Sequence, residues 1–400
     1  MNLLHILGNL KLPTNPDEGV SGSVRAALEL ARAQAQRGHR VTLVAVGPSS
    51  WQSSWQGVTL RQLSRNPWAR IRLAGRTLDL STHYPLMRLS QNEAFDVVQG
   101  HLYYYLRFLQ ASIRIAHFHA DPLHGLETES TLTAKRADFR LIARHSDAQI
   151  AVSRYIARQV ARGMALSSMK MRVETVYNGV LHDHFGSTPT VRSGETLRAS
   201  LGIPDEAVVF LFVGAIVPEK GLKHLVRAFS RLAERSPQSF LLVVGSASLW
   251  DMHGHEAGRA YENELMTLLL PLVQTNRAHL LNRVQSSDMP VVYAASDVTV
   301  MPSVWPEPFG LVALESLAAG KPVIASSVGG LPEIVGPHNG RLVPPADEVA
   351  LESTLAAFND PALRIRTGQV ARESATRFSW TRAAETLEQV YVSALYERAH

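Results

Sequence analysis

What most constrains this chain is a rhythm: short runs of Val, Ile and Leu alternate with longer amphipathic stretches, and the whole alternation occurs twice. Continuous apolar runs of strand length fit strands buried on both faces, and the stretches between them fit helical crossovers. The pattern is therefore that of βαβ units and parallel sheets. It predicts strands at residues 3–7, 40–46, 96–99, 114–117, 148–152 and 172–176, and again at 208–213, 240–244, 278–281, 298–301, 322–326 and 340–343. A helix is expected from Val24 to Arg37, with Gly38 ending it. Between the two sets lies GSTPTVRSGE, aperiodic and rich in Gly, Ser, Thr and Pro, which reads as a linker. The expected division is a first domain at 1–185, a linker at 186–200, a second domain at 201–379 and a final helix at 380–400. That helix has apolar positions near Ala384, Leu387, Val390, Val392, Leu395 and Tyr396. A length of 400 residues agrees with two cores rather than one.

The chain contains no cysteine, which excludes disulfides, thiolate nucleophiles and Cys-ligated metals. The longest apolar run, 207–218, falls well short of the roughly 20 residues a membrane-spanning helix needs. The start, MNLLHILGNL, lacks the features of a secretory signal and reads as a first strand, so a cytoplasmic location is expected. Charge is divided unevenly. Residues 1–200 hold 24 Lys and Arg against 14 Asp and Glu, whereas residues 201–400 hold 16 against 21. A basic first half suits an anionic acceptor or a peripheral contact with an anionic lipid surface, and equally a solvated Arg-rich face. No basic run interleaved with aromatics and no reader motif accompanies it, so no nucleic-acid partner is expected.

The chemistry concentrates in VTVMPSVWPEPFGLVALESLAAGKPVIASSVGGLPEIV. A strand ends at Met301, a proline-rich loop follows, and a helix is expected to begin near Phe309 and Gly310 and to run to Ala319. Ligands of open parallel sheets collect beyond the carboxyl ends of strands, where this loop lies. The first-turn amides of Phe309, Gly310 and Leu311 have no acceptor within the helix and form a cradle for a diphosphate. Glu307 and Glu315 do not suit an anion, but carboxylates only accept hydrogen bonds and paired hydroxyls are ready donors. Glu315 lies about 7.5 Å along the axis from Gly310, about the separation of a diphosphate from a ribose diol.

This stretch resembles the retaining glycosyltransferases of the GT-B fold, specifically family four, whose E-x7-E motif here reads EPFGLVALE and is followed by GGLPEIV. The resemblance implies an α/β fold of two Rossmann-like domains facing each other across a cleft. The first domain would bind the acceptor and the second the sugar nucleotide, with the last helix packing back on the first. It implies that Glu307 contacts sugar hydroxyls, that Glu315 holds the ribose, and that Gly329 and Gly330 lie beside the donor loop. FLFVGAIVPEKGLKHLVRAF resembles the family's first unit of the second domain, in which Gly214 precedes the diphosphate and Lys220 neutralises it. LLNRVQSSDMPVVYAASDVTVMPS resembles the base-binding turn, at Arg283 and Val284, and VYNGVLHDHF the approach to the linker. In the first half, Gly22 matches one of the family's glycine pair, with Ser21 in place of the other. HFHADPLHG matches the strand-end histidine, which makes His119 the residue implied to face the transferred sugar. His117 is expected to pack on the opposite face. The activity implied is hexose transfer from a nucleoside-diphosphate sugar to a hydroxyl acceptor with retention of configuration, in cell-surface glycan, glycolipid or small-molecule glycoside synthesis. The departing phosphate would take the acceptor's proton, and no cofactor or catalytic metal would be required.

The sequence departs from the family where an Arg usually follows the glycine of the second domain's first unit; here the residue is Ala215. A lost guanidinium removes a bidentate phosphate contact, for which Lys223 or Arg283 would have to substitute. Ser153 suits a helix N-cap, and Arg154 beside it is a weaker phosphate candidate. The His-x-His pair alone would suit a metal, but no acidic residues stand at ligand spacing. The alternatives are another GT-B enzyme, such as an epimerase or a phosphorylase, and a degenerate carbohydrate-binding scaffold.

Overall fold

The computed structural model describes residues 1–16, 20–73, 76–124, 129–169, 171–185, 187–245 and 254–400; part of the first loop (17–19) and Gly186 of the expected linker lie outside them. The chain forms two compact units, Met1–Gly179 with Trp380–His400, and Val180–Ser379.

The first unit contains, in chain order, β1 (Asn2–Gly8), α1 (Gly22–Gln36), β2 (Arg40–Gly47), β3 (Trp51–Trp55), β4 (Val58–Ser64), β5 (Arg70–Leu73), β6 (Arg76–Asp79), α2 (His83–Asn92), β7 (Val97–Gly100), β8 (Ile113–Phe118), α3 (Glu129–His145), β9 (Ala148–Ala151), α4 (Arg154–Leu166) and β10 (Val173–Thr175). Its main sheet runs β10-β9-β8-β7-β1-β2-β4-β3, parallel except for β3. The β1, β2 and β7 side chains are almost all buried, as a sheet covered on both faces demands. The β3–β4 hairpin lies outside the strands predicted from the sequence. Its strand WQSSW is polar and largely exposed, but its Gln56–Gly57 connection has φ of 49° and 83°, the double positive φ of a tight hairpin turn.

The second unit contains α5 (Thr188–Ser200), β11 (Val208–Val213), α6 (Leu222–Arg235), β12 (Ser239–Val244), α7 (Gly254–Gln274), β13 (Ala278–Leu281), α8 (Met289–Ala294), β14 (Val298–Met301), α9 (Leu311–Ala318), β15 (Val323–Ser326), β16 (Gly340–Val343), α10 (Glu348–Ala357) and α11 (Pro361–Ala375). Its sheet is wholly parallel, in the order β13-β12-β11-β14-β15-β16. The core joins Phe210 and Phe212 of β11 to Leu225 and Phe229 of α6 and to Leu265 and Leu269 of α7.

The expected linker is a correction: 188–200 is helix α5. Ser187 caps it by accepting from the Thr190 amide. Arg198 at its far end donates to the Ala295 carbonyl at 2.8 Å and to the Asp297 carboxylate, which also accepts from the Val209 amide. At Gly194 the helix approaches Ala294 so closely that a Cβ would come within 2.7 Å. Tertiary packing holds a segment whose Ser, Thr and Gly content disfavours a helix in isolation. The chain leaves the first unit after Gly179 and rejoins it at Trp380.

The last helix, α12 (Trp380–Ala399), belongs to the first unit. Ala384, Leu387, Tyr391 and Ala394 are buried, whereas Val392 and Tyr396, expected on the apolar face, are 62% and 66% exposed. The buried stripe is centred on Tyr391 instead.

Candidate functional site

In the second unit, β11 begins the sheet's two oppositely growing halves, so the winding reverses between β11 and β14. Beyond the carboxyl ends of strands at such a reversal a parallel sheet leaves a crevice, and the loops leaving β11 and β14 are those that carry Lys220 and Glu307. Val304 N–H donates to the Glu219 carbonyl at 2.9 Å and ties the two loops together.

Glu307 is only 5% exposed. Its Oε1 accepts from Lys220 Nζ at 2.5 Å, from Ser303 Oγ at 2.8 Å and from Trp305 Nε1 at 3.1 Å. All three bonds fall on the same oxygen. Lys220 Nζ also lies 5.3 Å from the centroid of the Trp305 ring, where a cation meets the negative face of an indole. The backbone of Glu307 is fixed from below. Gly330 N–H donates to its carbonyl at 2.7 Å, and a Cβ on Gly329, whose φ is +59°, would come within 2.1 Å of the same oxygen. No side chain fits there.

Helix α9 starts at Leu311, not at Phe309, because Gly310 has φ +110° and acts as its N-cap. The first-turn amides are therefore those of Leu311 to Ala313, and Phe309 precedes them. The Phe309 side chain is 3% exposed and packs edge-to-face on Phe378 with ring centroids 6.0 Å apart, so it anchors the loop. Glu315 accepts from Tyr293 Oη at 2.8 Å. Burial, with the Glu315 charge second, pushes that phenol well above its ordinary range and keeps it a donor.

Gly214 follows β11, and Ala215, in the position where Arg was expected, is 9% exposed. Lys223 does not replace that cation here, since it pairs with Glu264. Arg283 and Val284 follow β13, three strand positions from β14, which at about 4.8 Å per strand sets them about 14 Å along the sheet edge. Sequence reasoning missed Ser303, Trp305 and Tyr293. The first two stand four and two residues before Glu307 in a loop already singled out, but Tyr293 lies 22 residues before Glu315 and has no spacing signal.

In the first unit, Gly22 opens α1 behind Ser21, and Ser153 caps α4 by accepting from the Ile156 amide at 3.1 Å. His119 directly follows β8 and is partly exposed. His117 is not on the opposite face: the two rings lie 4.0 Å apart, because residues two apart in an extended chain share a face. His101, after β7, bonds His119 (Nδ1 to Nε2, 2.7 Å) and also His5 of β1 (Nε2 to Nδ1, 2.9 Å). Burial keeps all four rings neutral, lowering His5 to about 4 and His119 to about 3, and His101 and His117 well below the usual value.

The second unit matches the model for glycosyl transferases group 1 over residues 193–374, and the first matches the model for glycosyltransferase family 4 over residues 20–184. The D-inositol 3-phosphate glycosyltransferase of Corynebacterium efficiens is 37% identical over 205 residues, 51% of this chain and 47% of that protein. That of Streptomyces coelicolor is 34% identical over 265 residues, 62% of this chain and 56% of the other. The chain spans about half the length of the curated relatives it matches. Among solved structures, the Anabaena protein HepE in complex with UDP and glucose superposes with a TM-score of 0.75 at 19% identity, covering 98% of this chain and 100% of that one. Two parallel-sheet units with these loops at a strand reversal define a GT-B protein. The chain belongs to glycosyltransferase family 4.

Among the described residues, no helix is long and apolar enough to cross a membrane.

Proposed function

We propose that this chain is a retaining glycosyltransferase that moves a hexose from a nucleoside-diphosphate sugar, with UDP as the first nucleotide to test, to a hydroxyl acceptor without a catalytic metal or other cofactor. The observation that carries the proposal is the joining of Lys220 and Glu307 at the reversal of the second sheet. Glu307 Oε1 is occupied by three donors, so its other oxygen is the one that addresses a sugar hydroxyl. Lys220 lies where a leaving diphosphate needs a cation, and the α9 amides supply further donors aimed at the same charge. Glu315, held by Tyr293, takes the ribose diol. Gly214 and Gly310 give the backbone room near the phosphates, and Arg283 and Val284 bound the base. His119 and Gly22 come into this assignment through the family resemblance alone. The D-inositol 3-phosphate enzymes among the relatives make a phosphorylated polyol one acceptor class to try.

With donor and acceptor supplied in the presence of EDTA, release of nucleoside diphosphate should depend on the acceptor and fall at least about 100-fold in Glu307→Ala. Donor binding without acceptor-dependent release would instead favour the scaffold alternative.

Peripheral contact with an anionic acceptor or lipid surface is a second element of the proposal. Exposed Arg136, Arg140 and Arg144 on α3, and Arg154, Arg158 and Arg162 on α4, stand at four-residue spacing. Burial, followed by Arg114, Arg107 and Arg144, lowers the pKa of His145 beside them, a sign of concentrated positive charge. Co-sedimentation with vesicles containing phosphatidylserine but not with pure phosphatidylcholine is the expected result; equal partitioning removes this element.

A further inference from the structure

The first unit has its own winding reversal, between β1 and β7, and the histidines gather there: His5 within β1, His101 after β7, His117 within β8 and His119 after it. His101, His117 and His119 each offer one ring nitrogen, and the three nitrogens lie within 4.8 Å of one another. The hydrogen bonds leave one of these rings unsatisfied. Gln34 Nε2 donates to Tyr391 Oη at 3.0 Å, and that hydroxyl donates to Gln99 Oε1 at 2.5 Å. Gln99 must therefore turn its amino group to His117 Nδ1, which it meets at 2.9 Å. The other nitrogen, His117 Nε2, is buried with no hydrogen-bond partner among the described residues, and the ring is 1% exposed. A single proton can bridge His101 to His119, but it does nothing for His117. A buried polar atom left in this way keeps its desolvation cost uncompensated unless something bonds it.

We propose that His101 Nδ1, His117 Nε2 and His119 Nε2 bind one divalent cation of the zinc class, and that its binding withdraws His119 from the transfer reaction. Imidazole suits such borderline ions, and three protein nitrogens with a fourth position open to water form a familiar coordination set. Nitrogens on a tetrahedral ion with bonds of about 2.0–2.1 Å stand about 3.3 Å apart. His101 and His119 must open from 2.7 Å and His117 must swing inward, motions of side chains rather than backbone. The outer partners can accept the change. His101 Nε2–H then donates to His5 Nδ1, and a turned Gln99 amide accepts from His117 Nδ1–H while its amino group donates to Tyr391 Oη, which also accepts from Gln34 Nε2. Such partners fix the tautomers of metal-bound histidines.

Cation binding stands on the first unit alone; only the loss of activity rests on the proposed role of His119. The test titrates the full chain, stripped with EDTA and dialysed, with CoCl2, followed by displacement with ZnCl2. The expected result is one equivalent of tetrahedral Co2+ absorption per chain and a raised melting temperature with Zn2+. Binding should weaken at least tenfold in His117→Gln and in the partly exposed His119→Ala, with unchanged binding in the surface control His338→Gln. Circular dichroism establishes that each variant is folded, and the two variants guard against misfolding of one. Absence of the band, or its retention in both variants, overturns the site. Zn2+ should inhibit turnover of the wild type, and binding without inhibition overturns the withdrawal of His119.

Discussion

Removing the cation from Glu307 should cost much more than removing the pair. In Lys220→Met the carboxylate, with a side chain 6% exposed, loses its charged partner at 2.5 Å but keeps the Ser303 and Trp305 donors. Breaking a buried ion pair from one side costs about 3–5 kcal/mol. Lys220 is 19% exposed and two neutral donors remain, so about 2–3 kcal/mol is expected here. Glu307→Gln keeps the shape and removes the charge, and adding it to Lys220→Met should recover at least about 1 kcal/mol, because the residual cost came from an unpaired buried charge. Urea unfolding of the wild type, both single variants and the double variant measures the cycle, with the m-value checked for constancy. Strictly additive losses, or a Lys220→Met loss below about 0.5 kcal/mol, would refute the view that this pair is coupled and buried.

Other expectations follow from the same contacts. Gly329→Ala places a Cβ at 2.1 Å from the Glu307 carbonyl at a positive φ and should lower stability by about 2–3 kcal/mol, whereas Gly336→Ala, with open space around it, should stay within about 0.5 kcal/mol by urea unfolding. Tyr293→Phe removes a donor from Glu315 and should cost about 1–3 kcal/mol and weaken sugar-nucleotide binding several-fold by calorimetry; unchanged affinity would detach Glu315 from the ribose. Acid should destabilise the first unit early. His5 and His119 titrate near 4 and 3 when folded but near 6.5 when unfolded, so the unfolded chain takes up more protons between these limits, and stability falls as pH drops through that window. Each such group contributes up to about 1.4 kcal/mol per pH unit. His5→Gln should flatten the dependence of urea midpoints between pH 6.5 and 4.5, and an identical slope would contradict it.

Much of the second unit was legible because its strands are continuous Val, Ile and Leu runs, which only a sheet buried on both faces explains. The loop from Pro302 to Gly310 was legible because an acid between two prolines, a glycine after it and a second acid at Glu315 in the following helix have few other uses. What composition hid was held by tertiary contacts. Helix α5 is fixed by Arg198 and by the close approach at Gly194, neither of which has a local signature. The polar WQSSW strand forms because β4 offers it an edge, and only the Gln56–Gly57 turn announced it. The donors to the two acids divide in the same way: Ser303 and Trp305 are near in sequence, whereas Tyr293 reaches Glu315 only through the fold. His117 shares a face with His119 because the two stand two residues apart in an extended strand, but the cluster they form with His101 depends on the neighbouring strand and has no signal in the sequence.

Calorimetric titration of the full chain with a panel of nucleoside-diphosphate hexoses, UDP-glucose first, tests most directly whether the loops after β11 and β14 hold a sugar nucleotide. One site per chain is expected for at least one donor, weakened at least about tenfold in Glu315→Ala and in Lys220→Met, with both variants shown to be folded. Absence of binding across the panel, or equal affinity in the wild type and both variants, would contradict that assignment.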